Sequence, residues 1–373
     1  MTLSTLQPLG PETALASRAD DSASLEADAL APAAPATRIR AWRWLMAGVA
    51  VAAVVILAAR GDWSTALTRL GNIGYAWPLV LLPFAGSMVC ATAAWQVTLF
   101  QLGYVTRFFP LLRLRVAAEA VVVAVPGGPV LAETCKPYWL RHRLGVPYAE
   151  GTASVALTKA FIVQAEGLYI LLAFALAYTT WSETAATLTG PAHWVWRSVP
   201  LLGAGLLLAG MWLLHTLRGG LALRLVHGAL TRVPVPRFRR WLSDKAHMFD
   251  ATAGSFSRFF GVGGNTTCGF GLVFTLGQWL MEALETYVIL RLLGVSLSFS
   301  SALLLESLVS TIRAAAFFLP AGLGAQEMGS FVLLELLGVP GAPGAATALA
   351  FTKRSKEVFW IVAAAALHFV KRR

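Results

Sequence analysis

The chain has 373 residues, of which 57% are hydrophobic and only 13% are charged. About a quarter of the residues in a soluble domain are charged, so this composition excludes an ordinary soluble domain. The net charge of +11 could suggest a nucleic-acid partner, but the basic residues lie in short segments between apolar runs. That distribution indicates membrane topology and contact with lipid headgroups, and we expect no nucleic-acid partner.

Long apolar runs begin only after residue 37. Residues 1–37 are rich in Ala, Pro, Ser, Asp and Glu and predict a disordered cytoplasmic tail. A helix needs about 20 mostly apolar residues to cross a bilayer, and backbone groups in lipid must be hydrogen-bonded within the protein. We therefore predict an all-α polytopic membrane domain over residues 38–373. About six full spans are expected, at 43–59, 77–100, 152–178, 198–217, 268–292 and 345–369.

Two further apolar stretches, 113–141 and 299–338, are interrupted by Pro and Gly. Because proline cannot continue a helix and glycine permits a sharp reversal, we predict a re-entrant broken hairpin in each stretch. A kinked full span in each stretch remains the alternative. With hairpins, the basic segments fall on one side, including Arg107, Arg113, Arg115 and a basic loop at 218–258. The positive-inside rule then predicts that both termini lie in the cytoplasm.

An internal repeat relates the two interrupted stretches. AVPGGPVLAETCKPYWLRHRLGVP (124–147) matches FLPAGLGAQEMGSFVLLELLGVP (318–340), with a glutamate seven residues after the proline and LGVP at the end of both. Thr-Lys follows both copies, and the matched features are offset by 193 or 194 residues. Repeat one covers about 77–178 and repeat two about 268–369. The second copy enters from the opposite face, which predicts an inverted-topology repeat, typical of transporters with a substrate site near the midplane.

Ionisable residues inside the apolar runs predict a polar cleft. A charge at the bilayer centre costs at least ~2.5–3.5 kcal/mol, so these groups should face each other or water. Glu119 and Arg313 each lie seven residues before the proline of their repeat, and we predict that they form an ion pair. For each charge, a structural ion pair or a side chain that reaches the interface is the alternative. We predict that the cleft contains Glu119, Glu133, Lys159, Glu166, Arg313, Gln326, Glu327, Lys353 and Arg354, with helix breaks at Pro126, Gly127, Gly128, Pro320, Gly322 and Gly324.

Catalytic motifs are missing from the sequence. It has no Walker A loop, no HExxH and no GxSxG, and its three cysteines form no metal-binding pattern. We therefore predict no ATP hydrolysis, no hydrolase chemistry, no metal site and no cofactor.

The second repeat carries a motif of a known family. It contains a glutamate, an arginine followed by small residues and Phe, a Pro-Gly-x-Leu-Gly-x-Gln-Glu segment, and a basic pair followed by Glu. These positions are Glu306, Arg313, Phe317, Pro320, Gly322, Leu323, Gly324, Gln326, Glu327, Lys353, Arg354 and Glu357. The segment resembles the hopanoid-biosynthesis-associated membrane proteins, within the wider family that includes the flippase-like domain of lysylphosphatidylglycerol synthases. Ala321 departs from the usual Pro-Gly, and the resemblance covers about 43–371.

The resemblance implies a function in lipid movement. The family is associated with moving lipids across or between membranes, so we expect a transporter or flippase for hopanoid or phospholipid-type lipids in the bacterial inner membrane. Expected partners are membrane lipids and lipid-biosynthesis proteins. Two other functions stay open: an intramembrane lipid-modifying enzyme with Glu327 as acid/base, and a non-transporting scaffold of a lipid-synthesis complex.

Overall fold

Helices joined by short connections make up the part of the chain that the computed structural model describes. These residues are 62–369, apart from 126, 188–190, 232–245, 317–318 and 320–321. The predicted tail and the predicted span 43–59 lie outside them, as do Pro126 and Pro320. No strand occurs among the described residues, which confirms the all-α prediction. In chain order the helices are α1 (Trp63–Ile73), α2 (Leu81–Gln101), α3 (Phe108–Ala124), α4 (Gly128–Leu144), α5 (Tyr148–Thr187), α6 (Pro191–Arg218), α7 (Leu221–Thr231), α8 (Ala246–Phe259), α9 (Gly264–Leu292), α10 (Phe299–Ala315), α11 (Ala325–Leu336) and α12 (Ala342–Phe369).

Three helical segments are long and apolar enough to cross a membrane: Trp63–Gln101, Tyr148–Thr179 and Trp196–Arg218. The first joins α1 to α2 through a 3₁₀ helix at Gly74–Val80. Helices α8 and α9, bent by 92° relative to each other, add a fourth span if they are taken as one. The predicted span 345–369 corresponds to α12, which is outside this set because four charged residues lie near its middle. The described residues therefore provide fewer purely apolar spans than the sequence predicts.

Four consecutive helices recur in the two halves of the described chain: α2–α5 and α9–α12, which we call the first and second units. The connection after the first helix has the same geometry in both. Gly103 has φ of 92° and Gly294 has φ of 73°, in the left-handed region that glycine adopts readily. The residue after each glycine donates its backbone N–H to a helix carbonyl at 2.9 Å, Tyr104 to Leu99 and Val295 to Leu290. This turn extends the repeat beyond the matched sequence segments.

The two units are inverted relative to each other. In α2, Gly86 lies beside Met281 of α9, and Cys90 lies beside Gly277, so these two helices are antiparallel. The Phe84 ring of α2 lies 5.5 Å from that of Trp360 of α12, and Met88 and Ala364 pack in the same cluster. The equivalent first helices of the two units, α2 and α9, therefore run in opposite directions, as an inverted-topology repeat requires.

Each interrupted stretch forms a helical hairpin. In the first, Leu111 and Leu114 of α3 pack against Leu140 of α4, so the chain has reversed between them. A Cβ at Gly128 would lie 2.4 Å from the Val121 carbonyl oxygen, so the reversal needs glycine at this position. Gly127 beside it has φ of 69°.

In the second hairpin, Gly322 and Gly324 have φ of 63° and 84°. Gly329 of α11 then approaches Ile312 of α10. A kinked span would continue in one direction, whereas both of these pairs reverse. With 12 residues, α11 is about 18 Å long, too short to cross a core of about 30 Å. Both observations favour re-entrant hairpins.

The predicted basic loop 218–258 contains two helices, α7 and α8, in its described part. The reason lies in the apolar residues of α8. Phe256 and Phe259 are spaced i, i+3 and are buried against Leu157 and Phe161 of α5. This segment therefore packs against the helical bundle through apolar residues and is not only a basic loop.

Candidate functional site

A cavity of about 290 Å³ lies between the two units. Each unit contributes two cationic and two anionic side chains to its wall, so the charged lining is balanced. Apolar groups, among them Ile162, Trp279 and Trp360, form the rest of the wall. The charged lining residues are Arg115, Glu119, Glu133 and Lys159 from the first unit, and Glu282, Arg313, Lys356 and Glu357 from the second.

The charged lining residues of the first unit form ion pairs that leave Lys159 half exposed. Arg115 and Glu119 are one turn apart on α3, with Nη1 and Oε2 3.2 Å apart. Glu133 on α4 binds the buried Lys136 at 2.8 Å and approaches Lys159 of α5 at 4.0 Å. The Lys159 side chain is 50% exposed. Lys159 is therefore a cation that an incoming group in the cavity could contact at small cost.

The second unit holds Arg313 and Lys356 through carboxylates of α9. Arg313 Nη2 lies 3.3 Å from Glu282 Oε2. Glu282 Oε1 also accepts hydrogen bonds from Ser87 and Gln278, each at 3.3 Å. Lys356 donates to both carboxylate oxygens of Glu285, at 2.7 and 2.9 Å. The Lys356 ammonium also lies 4.0 Å from the centre of the Phe84 ring.

The predicted Glu119–Arg313 ion pair is wrong. Among the described residues, Glu119 is paired with Arg115 and Arg313 with Glu282. Both side chains nevertheless line the same cavity. Equivalent residues of the two repeats therefore line one cavity, but each forms its ion pair with another residue.

Five predicted cleft residues do not line the cavity: Glu166, Gln326, Glu327, Lys353 and Arg354. Lys353 of α12 binds the buried Glu306 of α10 at 2.6 Å, and Thr286 donates to the same carboxylate oxygen at 2.5 Å. This group ties α9, α10 and α12 together. The side-chain oxygen of Gln326 is buried and has no hydrogen-bond partner among the described residues.

Glu327 stabilises the second hairpin at its break. Its Oε1 accepts hydrogen bonds from Arg354 Nε at 2.8 Å and Nη2 at 2.5 Å. Its Oε2 accepts a hydrogen bond of 2.8 Å from the Gly324 backbone N–H, which caps the N-terminus of α11. Arg354 also binds Glu357 at 2.7 Å, which connects this buried group to the cavity wall.

Four of the predicted cleft residues line the cavity, and Glu166 lies beside it. Glu119, Glu133, Lys159 and Arg313 line the cavity, whereas Glu166 is buried on α5, one turn beyond the lining residue Ile162. The charged lining residues outside the predicted cleft are Arg115, Glu282, Lys356 and Glu357. For Arg115, the available signal was its i, i+4 spacing from a glutamate, which is typical of a pair on one helix face. The other three lie inside apolar runs, where a charge needs a partner.

Comparison with known proteins places the chain in a family. The family model for the lysylphosphatidylglycerol synthase TM region matches residues 43–364, a range that includes the first unit, the second unit up to residue 364 and every lining residue of the cavity. A UPF0104 membrane protein of Methanothermobacter thermautotrophicus is 32% identical over 148 residues. That match covers 37% of this chain and 40% of the relative's length. The chain therefore belongs to the lysylphosphatidylglycerol synthase transmembrane-region family of membrane proteins.

Proposed function

We propose that this protein moves lipids across its membrane, with the headgroup in the charged cavity and the acyl chains in the bilayer. The observation that carries the proposal is a cavity with four cationic and four anionic side chains at the junction of two inverted units. Transporters built from inverted repeats place their substrate sites at such junctions. Membership of a family that is named for a lipid synthase supports a lipid as the substrate.

The cavity favours a headgroup with polar groups of more than one kind. Arg313 and Lys159 are the cations best placed to bind a phosphate, since their side chains are 37% and 50% exposed. The planar guanidinium of Arg313 can form paired hydrogen bonds with phosphate oxygens. The four carboxylates of the lining would repel a headgroup that carries several negative charges and no positive charge. Hydroxyl or amino groups beside the phosphate, or the hydroxyls of a hopanoid, would hydrogen-bond with Glu119 and Glu133.

The hairpins provide a route for movement in this proposal. Charged groups are costly in the hydrocarbon core, and a polar cavity at the level of the core lowers that cost. Gly127, Gly322 and Gly324 lie at the breaks and act as hinges when the hairpins open the cavity to one side. We propose that both termini lie in the cytoplasm, a proposal supported by the distribution of Lys and Arg, and that the membrane is a bacterial inner membrane, as the family resemblance implies.

Lipid movement by the purified protein in liposomes tests the function. A labelled phospholipid and a labelled hopanoid are compared for the wild type, Arg313→Ala and protein-free vesicles. Loss of a charge-assisted contact worth about 1.5–3 kcal/mol predicts a decrease in rate of about 10-fold to 150-fold for Arg313→Ala. Arg258→Ala is the matched control, because Arg258 pairs with Glu150 outside the cavity.

Three outcomes would contradict the proposal. Wild-type rates equal to those of protein-free vesicles for both lipids would exclude lipid movement by this chain. A change in lipid mass on incubation would indicate an intramembrane enzyme instead. Equal rates for Arg313→Ala and Arg258→Ala would remove the cavity from the mechanism.

A further inference from the structure

Glu166 is a buried glutamate for which no ion pair exists among the described residues. It is 7% exposed, and its Oε1 has no hydrogen-bond partner there. The four other buried glutamates of the described helices each have a cationic nitrogen within 2.7 Å. They are Glu150, Glu285, Glu306 and Glu327.

Glu166 lies at the edge of the candidate substrate cavity. It follows Ile162, a lining residue, by one helical turn, so both lie on the same face of α5. Three charged groups act on it electrostatically: Arg313 of α10, Glu282 of α9 and Lys159 of α5 itself. Tyr169, three residues further on, donates its hydroxyl to the Leu303 carbonyl at 3.2 Å, so that hydroxyl hydrogen is engaged elsewhere.

The two cations near Glu166 are also the cations that a headgroup would bind. Arg313 contacts Glu282 at 3.3 Å, and Lys159 approaches Glu133 at 4.0 Å, so neither is held in a short ion pair. An ionised carboxylate that is buried without a cation costs several kcal/mol, whereas a neutral carboxyl group costs far less. The charge on Glu166 therefore depends on whether the positive charges of Arg313 and Lys159 are offset by another group.

We propose that Glu166 is a proton-binding site that couples lipid movement to a proton gradient across the membrane. This inference rests on the proposed function. When the phosphate of the headgroup binds Arg313 and Lys159, it offsets their positive charge, and Glu166 takes up a proton from water to become a neutral carboxyl group. When the headgroup leaves, the positive charge of Arg313 and Lys159 again favours the ionised form, and Glu166 releases the proton. Proton and headgroup then bind and leave together, and by linkage each raises the affinity for the other.

Infrared spectroscopy of the full-length protein tests the proton site without any transport assay. The C=O band of a neutral, buried carboxyl group should appear in the wild type when a soluble phospholipid is added. The band should be lost in Glu166→Gln, whose side chain has the shape of the neutral acid. Glu335→Gln is the control, because Glu335 is exposed. A band of equal intensity in wild type and Glu166→Gln, or no band in the wild type, would overturn the proposal.

Transport under an imposed pH gradient tests the coupling. With one proton per lipid, a gradient of one pH unit should enrich the labelled lipid in one leaflet by up to about tenfold. Glu166→Gln should move lipid without this enrichment, whereas Glu335→Gln should behave as the wild type does.

The results separate the two proposals. Wild-type movement with no enrichment would overturn the coupling and leave lipid movement in place. No movement by the wild type would overturn the proposed function and the coupling together.

Discussion

The two hairpins carry equivalent glutamates in different surroundings. Glu133 and Glu327 each follow the proline of their repeat by seven residues. Glu133 lines the cavity and is within 4.0 Å of the half-exposed Lys159. Glu327 is 4% exposed, caps α11 and is held by Arg354. The glutamate of the first hairpin thus faces the cavity, whereas that of the second stabilises the break in its own hairpin.

The equivalent lysines differ in the same way. Lys159 and Lys353 are offset by 194 residues, but Lys353 is buried against Glu306. The equivalent lysines therefore have unequal surroundings: Lys159 lies in the cavity wall, whereas Lys353 is paired with a buried carboxylate. This difference predicts which substitutions affect transport and which affect folding.

The largest effect is expected at Glu327. Replacing it with Ala removes two charge-assisted hydrogen bonds from the half-buried Arg354 and the cap on the Gly324 N–H, which should destabilise the protein by about 3–5 kcal/mol. Thermal unfolding in detergent, followed by size-exclusion chromatography, measures the loss. The matched variant Glu133→Ala should lose less, because it removes the ion pair with Lys136 but no helix cap. Equal losses would show that the hairpins do not differ as described.

Lys353→Met tests the buried pair of the second unit. It leaves Glu306 buried without its cation and should cost about 3 kcal/mol. Adding Glu306→Leu to it should recover most of this loss, because apolar groups of similar size can replace a buried ion pair. Lys159→Met should leave the unfolding temperature unchanged and reduce lipid movement by about tenfold. Normal stability of Lys353→Met would show that the pair is not structural.

A smaller difference is expected between two glycines. A Cβ at Gly128 would lie 2.4 Å from the backbone oxygen of Val121, which cannot move without disturbing α3. Gly128→Ala should therefore cost about 1–3 kcal/mol. A Cβ at Gly329 would meet only the end of the Ile312 side chain, at 2.9 Å, which can rotate away. Gly329→Ala should be near neutral in the same unfolding measurement, since alanine also favours the helix. A greater loss for Gly329→Ala would reverse this ranking.

Composition and local pattern determined much of the fold. Apolar runs, glycine at the breaks and the repeated segments were sufficient to predict an all-α membrane protein with inverted repeats and two hairpins. They were sufficient because helix formation in lipid depends on the residues of each segment. The cost of buried charge also identified Glu119, Glu133, Lys159 and Arg313, which line the cavity.

Tertiary structure alone decided which charges meet. Lys356 pairs with Glu285 across 71 residues of chain, and Arg313 pairs with Glu282 rather than with Glu119. Those partners depend on the rotation and register of packed helices, which no local spacing specifies. For the same reason, Lys353 and Arg354 lie outside the cavity wall, and Glu166 has no cation partner among the described residues. The sequence by itself determined that charges must be buried, and the packing of the two units decided which of them a lipid could reach.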